Sequence, residues 1–356
     1  MTHDDQPIRG PGSTSRRRLL LGSAAGVLGL AGGAAVLNAL RPQPEQPQPP
    51  QQPQTAPAQP IRLGAMVGAP MTSAEMPQWR ADIDVLAAHG QNLVRTGIYA
   101  WLVAPQQGHW DDRAAALFRE SLAYARDHGM AINLVVPGAP DWAQKFGFEQ
   151  YAESCRWFWT RMRENFGDQV DLWQVYNEAD HAHYQKFTPA TRNAKYLGEF
   201  AHMLGIAKTV FGGPDGRPIS TNLTGWPMND EREQEWYLVL DAIGAPLDII
   251  GIDLYPADNE VEIERLAGRM QRVLKRYNKP IFVAEIGLQT TPGSWTEEDQ
   301  KRYVSAAIER LRTVALWGIS LYTLRDDEAP GGFGIQRLDG RKKLGFPDVM
   351  RAMSPR

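Results

Sequence analysis

Two glutamates are placed to do chemistry together. Glu178 closes the stretch Trp173-Gln174-Val175-Tyr176-Asn177-Glu178, and Glu285 lies in Ile281-Phe282-Val283-Ala284-Glu285-Ile286-Gly287. Each stretch reads as a short buried strand, rich in β-branched and aromatic residues, that runs out onto a carboxylate. Two carboxyls facing each other at about 5–5.5 Å can break a glycosidic bond with retention: one attacks the anomeric carbon, the other protonates the leaving oxygen and later activates water. A single glutamate at a strand end is an ordinary solvated rim charge. The pair matters only if the fold brings the two ends to one place.

Other residues compete for a chemical role. Asp180-His181-Ala182-His183 follows Glu178 directly, and His-x-His beside two carboxylates is a conceivable divalent cation site. The further histidines that a metal-dependent barrel hydrolase needs on its first, fifth and sixth strands are missing, so the expected site has no metal and no organic cofactor. His181 is then expected to touch substrate or Glu178. The single cysteine, Cys155, sits in the helical pattern Tyr151-Ala152-Glu153-Ser154-Cys155-Arg156-Trp157 and reads as a small buried residue. Trp101, Trp142, Trp226 and Trp295 fall after strands or in loops, where an aromatic face can stack on a sugar. Trp157, Trp159, Trp173, Trp236 and Trp317 lie within helix or strand patterns and are expected in the core.

The elements that must position these groups alternate from Ile61 onward. Apolar runs predict strands at Arg62–Val67, Asn92–Tyr99, Ala131–Val136, Asp171–Tyr176, Pro218–Leu223, Leu247–Tyr255, Pro280–Glu285 and Gly318–Thr323. Amphipathic stretches between them predict helices over Met76–His89, Asp112–His128, Glu149–Phe166, Pro189–Val210, Glu231–Ile243, Glu260–Tyr277 and Thr296–Leu316. Asp111 and Gly129 bracket the second of these as start and stop signals. Strands that are apolar almost throughout belong to a parallel sheet covered on both faces. Eight such units point to a (β/α)8 barrel rather than an open doubly wound sheet, which usually has fewer strands and a glycine-rich nucleotide turn absent here. The glutamates then lie at the carboxyl ends of strands four and seven, where such barrels place their sites. Strict alternation puts Glu285 on the barrel-facing side with Val283 and Ile281, and Glu178 with Tyr176 and Gln174.

With Asn177-Glu178 on strand four and Ala284-Glu285-Ile286-Gly287 on strand seven, the chain resembles the retaining glycoside hydrolases of clan A, the cellulase-, mannanase-, xylosidase- and glucanase-like barrels. The resemblance runs from Ile61 to about Met353. It implies Glu178 as acid/base, Glu285 as nucleophile and Asn177 as the residue that binds the sugar 2-hydroxyl. It also implies Tyr255, in Asp253-Leu254-Tyr255-Pro256, as a hydrogen-bond donor to the nucleophile, and Arg95 as the cation that keeps it ionised. Two positions depart from the clan's pattern: Ala179 stands where proline is common, and Leu321-Tyr322-Thr323 stands where a tryptophan platform is common, so either Tyr322 takes that place or the platform comes from elsewhere. Trp142 and Trp226 are further candidates for substrate contact. The implied activity is hydrolysis of a polysaccharide or glycoconjugate; a transglycosylase would use the same residues, and a non-catalytic carbohydrate-binding barrel would keep the cleft. Gly331-Gly332-Phe333-Gly334, after strand eight, reads as a mobile loop over the mouth.

The 356 residues carry a net charge of -3 with both signs interspersed, which leaves no footprint for nucleic acid. Residues 1–40 read as an export segment: Ser15-Arg16-Arg17-Arg18-Leu19-Leu20 leads an uncharged run of 22 residues from Leu19 to Leu40, and resembles a bacterial twin-arginine signal. Such a run is also long enough to serve as a membrane tether. Residues 41–60, almost wholly proline and glutamine, read as an extended linker, and residues 61–356 as the catalytic body, expected to act outside the cytoplasm as a monomer.

Overall fold

The computed structural model describes residues 60–178, 194–213, 216–223, 230–255, 260–290, 295–326 and 332–355. The expected export segment and nearly all of the linker therefore lie outside the described residues. The strands are β1 (Arg62–Met66), β2 (Leu93–Gly97), β3 (Ala131–Val136), β4 (Leu172–Val175), β5 (Ile219–Leu223), β6 (Ile249–Leu254), β7 (Ile281–Ile286) and β8 (Gly318–Leu321). Each pairs in parallel with its successor, and β8 pairs with β1 to close the barrel. The chain is a (β/α)8 barrel.

Among the described residues the α-helices are α1 (Met76–Ala88), α2 (Ala100–Val103), α3 (Asp112–Asp127), α4 (Phe148–Phe166), α5 (Ala194–Phe211), α6 (Asp230–Ile243), α7 (Glu260–Tyr277), α8 (Glu297–Leu311) and α9 (Phe346–Ala352). Their ends follow local chemistry. Asp111 caps α3 by accepting the Ala114 N–H at 2.9 Å, and Gly129 leaves it at φ +76°. Thr296 and Asp299 form a reciprocal capping box on α8. The pattern carried α8 on to Leu316, but it ends at Leu311. The apolar residues Val314 and Leu316 are buried on a turn, and Trp317 N–H already donates to Ile281 at 2.7 Å to start β8. The start of α5 expected at Pro189 falls on residues not described.

The barrel wall separates two apolar regions. A small cluster inside it joins Leu93, Leu172, Ile249, Phe282 and Ala284, three of them from the even strands β2, β4 and β6. A much larger one fills the space between sheet and helices, which is why the strands are apolar on both faces. Of the tryptophans expected in the core, Trp159, Trp173 and Trp236 are buried, while Trp157 and Trp317 are half-buried against it. Towards the carboxyl ends the inward side chains change character: Leu93 gives way to Arg95, Leu172 to Gln174, and Ile249 to Asp253. That polar layer is the floor of the site.

Candidate active site

The two glutamates reach the barrel mouth by breaking the strand alternation. On β4, Gln174 points inward and Val175 outward. Tyr176 then adopts a left-handed backbone (φ 64°) and packs outward, its ring against Trp159 and Phe200 at 6.0 and 5.3 Å between centroids. Tyr176 therefore does not share a face with Gln174 as strict alternation required. The turn continues through Asn177 to Glu178, which also has positive φ (47°). Left-handed non-glycine residues cost about 1–3 kcal/mol each and persist where packing overdetermines them. Here the outward ring supplies that packing. The Tyr176 hydroxyl lies 3.4 Å from that of Tyr151 and 4.0 Å from Cys155 Sγ on α4. Burial, above all, holds this tyrosine, Tyr151 and the thiol in their neutral forms, so Cys155 is a buried packing residue.

On β7 the device is a bulge. Ile252 of β6 pairs with Val283, but Asp253 pairs with Glu285, so Ala284 is an extra residue. Ile281, Val283 and Ile286 pack outward with the helices, whereas Phe282 and Ala284 face the lumen. Glu285 follows Ala284 to the same side, not Val283 and Ile281 as alternation predicted. Gly287 comes next because a Cβ there would meet the Tyr322 carbonyl at 2.1 Å.

The resulting constellation is dense. Arg95, from β2, sets Nη1 2.9 Å from Glu285 Oε1, donates from Nε to Gln174 Oε1 at 2.9 Å and from Nη2 to Asn177 Oδ1 at 2.6 Å. The Tyr255 hydroxyl donates to Glu285 Oε2, so each oxygen of that carboxylate has a donor. Burial, then the charge of Glu285, pushes the Tyr255 pKa well above its usual value, and the phenol keeps its proton. Asn177 Oδ1 also accepts from Asn222 Nδ2 at 2.9 Å and Gln174 Nε2 at 3.2 Å. With that oxygen held three times, the amide NH2 is the group Asn177 can offer a sugar hydroxyl. The Glu178 N–H donates to Asn222 Oδ1 at 3.2 Å.

Asp253 completes the group. It is fully buried, and its Oδ2 accepts from Asn222 Nδ2 at 2.6 Å. One oxygen from each of Glu178, Asp253 and Glu285 lies within 4.8 Å of the other two, and all three side chains are buried. Three convergent carboxyls are what a hard cation takes, but the guanidinium of Arg95 is already the counter-charge and both oxygens of Glu285 are engaged. Neither Asp253 nor Asn222 was singled out from the sequence. The available signals were an aspartate inside the apolar run Ile249-Ile250-Gly251-Ile252-Asp253-Leu254, and an asparagine in Ile219-Ser220-Thr221-Asn222-Leu223.

The other candidates are placed differently. Tyr322 and Phe333 pack edge-on to Tyr255 and to each other, at 6.2 and 5.3 Å from Tyr255 and 5.3 Å between themselves. A cavity of about 330 Å3 opens beside Tyr322, lined by Met66, Gln78, Asp82 and Arg325 among others. The Trp142 indole donates to Ala104 O at 2.9 Å, and its ring meets Phe146 and Trp157 edge-on, so it braces the loop after β3. Trp295 is half-buried against the core, and Trp101 is 51% exposed. His181, His183 and Trp226 lie outside the described residues. The loop expected to be mobile is, over Gly332–Gly334, tied down: Gly332 O accepts from Thr290 N at 3.0 Å and Lys343 Nζ at 3.1 Å, and Phe333 seals against the two tyrosines.

The model of the family described as "Glycosyl hydrolase catalytic core" matches residues 154–316, which include β4 to β7 and both glutamates. No curated protein matches the sequence. Among solved structures the chain is similar to a beta-glycosidase from Pyrococcus horikoshii, at 13% identity and TM-score 0.64 over 83% of this chain and 95% of that one. It is similar also to a GH5_18 protein from Streptomyces cattleya in complex with GlcNAc, at 16% identity and TM-score 0.64 over 83% and 82%. A third is an endo-beta-1,4-xylanase of glycoside hydrolase family 10 from Gloeophyllum trabeum, at 15% identity and TM-score 0.60 over 83% and 97%. Likeness at these identities is a likeness of fold.

Proposed function

We propose that this chain, a glycosidase with a glycosyl hydrolase catalytic core on a clan A type barrel, cleaves β-glycosidic bonds of a polysaccharide or glycoconjugate with retention of anomeric configuration. The observation that carries the reading is the approach of the two carboxyls: oxygens of Glu178 and Glu285 lie within 4.8 Å, where an inverting pair would leave a gap for water. Their surroundings support unequal roles. Glu285 faces the Arg95 guanidinium and the Tyr255 hydroxyl, and it attacks the anomeric carbon. Glu178 gives its proton to the leaving oxygen as the glycosidic bond breaks. Water then enters, Glu178 takes a proton from it, and the hydroxide attacks the anomeric carbon to release Glu285. The Asn177 amide is placed to hold the 2-hydroxyl through both steps. Similarity to beta-glycosidases and xylanases favours a β-linked substrate.

The test is a panel of β-linked oligosaccharides and aryl glycosides. E178Q and E285Q should each lose at least about a hundredfold in kcat, within the range for one general acid or nucleophile. Proton NMR of the first-formed product should show the substrate's anomer, and a 2-fluoro glycoside should label Glu285. Full activity in either variant overturns the assignment, an inverted product overturns retention, and binding without new reducing ends makes the barrel a carbohydrate-binding module. Longer products in place of free sugar would mark a transglycosylase.

A further inference from the structure

Among the described residues, Asp253 is a third carboxyl in a space that has one cation. Five groups face it: Glu285 from β7, Glu178 from the turn after β4, Arg95 from β2, Tyr255 from its own strand end, and Asn222 from β5. Arg95 is committed to Glu285 at 2.9 Å, and the one hydrogen bond to Asp253 comes from a neutral amide. Its second oxygen, Oδ1, is buried without a hydrogen-bond partner. An anion there would lie within 4.8 Å of two other carboxyls, shielded from water. A carboxylic acid there keeps the Asn222 hydrogen bond through its carbonyl oxygen and adds no charge beside the glutamates.

We propose that Asp253 is a positioning residue that works as the neutral acid, so that the resting cleft holds two protons on three carboxyls, one on Glu178 for the leaving group and one on Asp253. In this form it orients Asn222, and through it the Asn177 side chain and the Glu178 backbone, without charging the centre. Burial, then the charges of Glu285 and Glu178, act on Asp253 in the same sense. The inference rests on Glu178 being the acid/base.

Two measurements test it. Infrared difference spectra of wild type against D253N at neutral pH should lose one protonated-carboxyl C=O band, and E178Q should lose a different one. The pH profile of kcat/KM should keep both limbs in D253N, because the amide is as neutral as the acid it replaces, and D253N should retain more activity than D253L. If D253N does not fold, D253E should shift the infrared band rather than remove it. An unchanged carboxyl band in these variants, or an acid limb that moves down in D253N, overturns the proposal, since the latter means Asp253 was ionised beside Glu285. Equal loss of activity in D253N and D253L overturns it too and leaves a structural role only. An active E178Q with the Asp253 band present would instead defeat the reading of Glu178.

Discussion

At the scale of single residues the site is governed by how few hydrogen-bond donors are left over. Arg95 distributes its guanidinium over Glu285, Gln174 and Asn177, a planar arrangement that an ammonium cannot reproduce. R95M should lower kcat/KM by at least about a hundredfold, because losing one partner of a buried charged pair costs about 3–5 kcal/mol. Y255F removes one charge-assisted hydrogen bond, about 1.5–3 kcal/mol, so kcat should fall about tenfold to a hundredfold. Steady-state kinetics of Y255F on the same substrate panel check this. Asp253 adds a dependence on stability. Its folded pKa lies above the ordinary 3.8, so between that value and the folded one the native state holds the extra proton, and stability falls as pH rises. The thermal midpoint of D253N relative to wild type should accordingly improve as pH is raised above about 4.

At the scale of elements, the carboxylates are aimed by irregularities in regular strands. The bulge at Ala284 turns Glu285 into the lumen, and the left-handed step at Tyr176 turns the Asn177-Glu178 pair. Both depend on close neighbours. A Cβ on Gly138 would stand 2.1 Å from Tyr151 Oη and 2.6 Å from Tyr176 Cε1, so G138A must displace the ring that anchors the turn. Overpacking of this kind costs about 1–3 kcal/mol, and G138A should lose more activity than its denaturation midpoint explains, as a kcat measured well below that midpoint would reveal. The rim after β8 has its own clasp: Lys343 Nζ reaches Asp326 Oδ1, Thr290 Oγ1 and Gly332 O at 2.8, 2.8 and 3.1 Å, entirely buried. K343A removes the cation from a buried ion pair and should cost about 3–5 kcal/mol in urea unfolding, whereas K343M paired with D326L should recover most of it.

At the scale of the whole molecule, among the described residues no helix is long and apolar enough to cross a membrane. We propose that Arg16 and Arg17 direct twin-arginine export of the folded barrel. The pair R16K/R17K should leave active enzyme in the cytoplasm of a bacterial host, and fractionation with an activity assay reads the outcome; continued export of the variant would refute the motif.

The eight strands and the ordinals of the two glutamates were legible in the amino-acid sequence because a parallel barrel buries both faces of every strand, and apolar runs register that directly. Asp111 and Gly129 marked the ends of α3 for equally local reasons. What the chain conceals is the direction of side chains where the period of two fails. Nothing in Val283-Ala284-Glu285 announces a bulge, and nothing in Tyr176 announces a left-handed turn, since both are enforced by partners distant in the chain, Asp253 on β6 for one and the aromatic rings of α4 and α5 for the other. Asn222 and Asp253 were passed over for the same reason. A polar residue in a buried strand acquires meaning only when closure of the barrel shows which charges it faces.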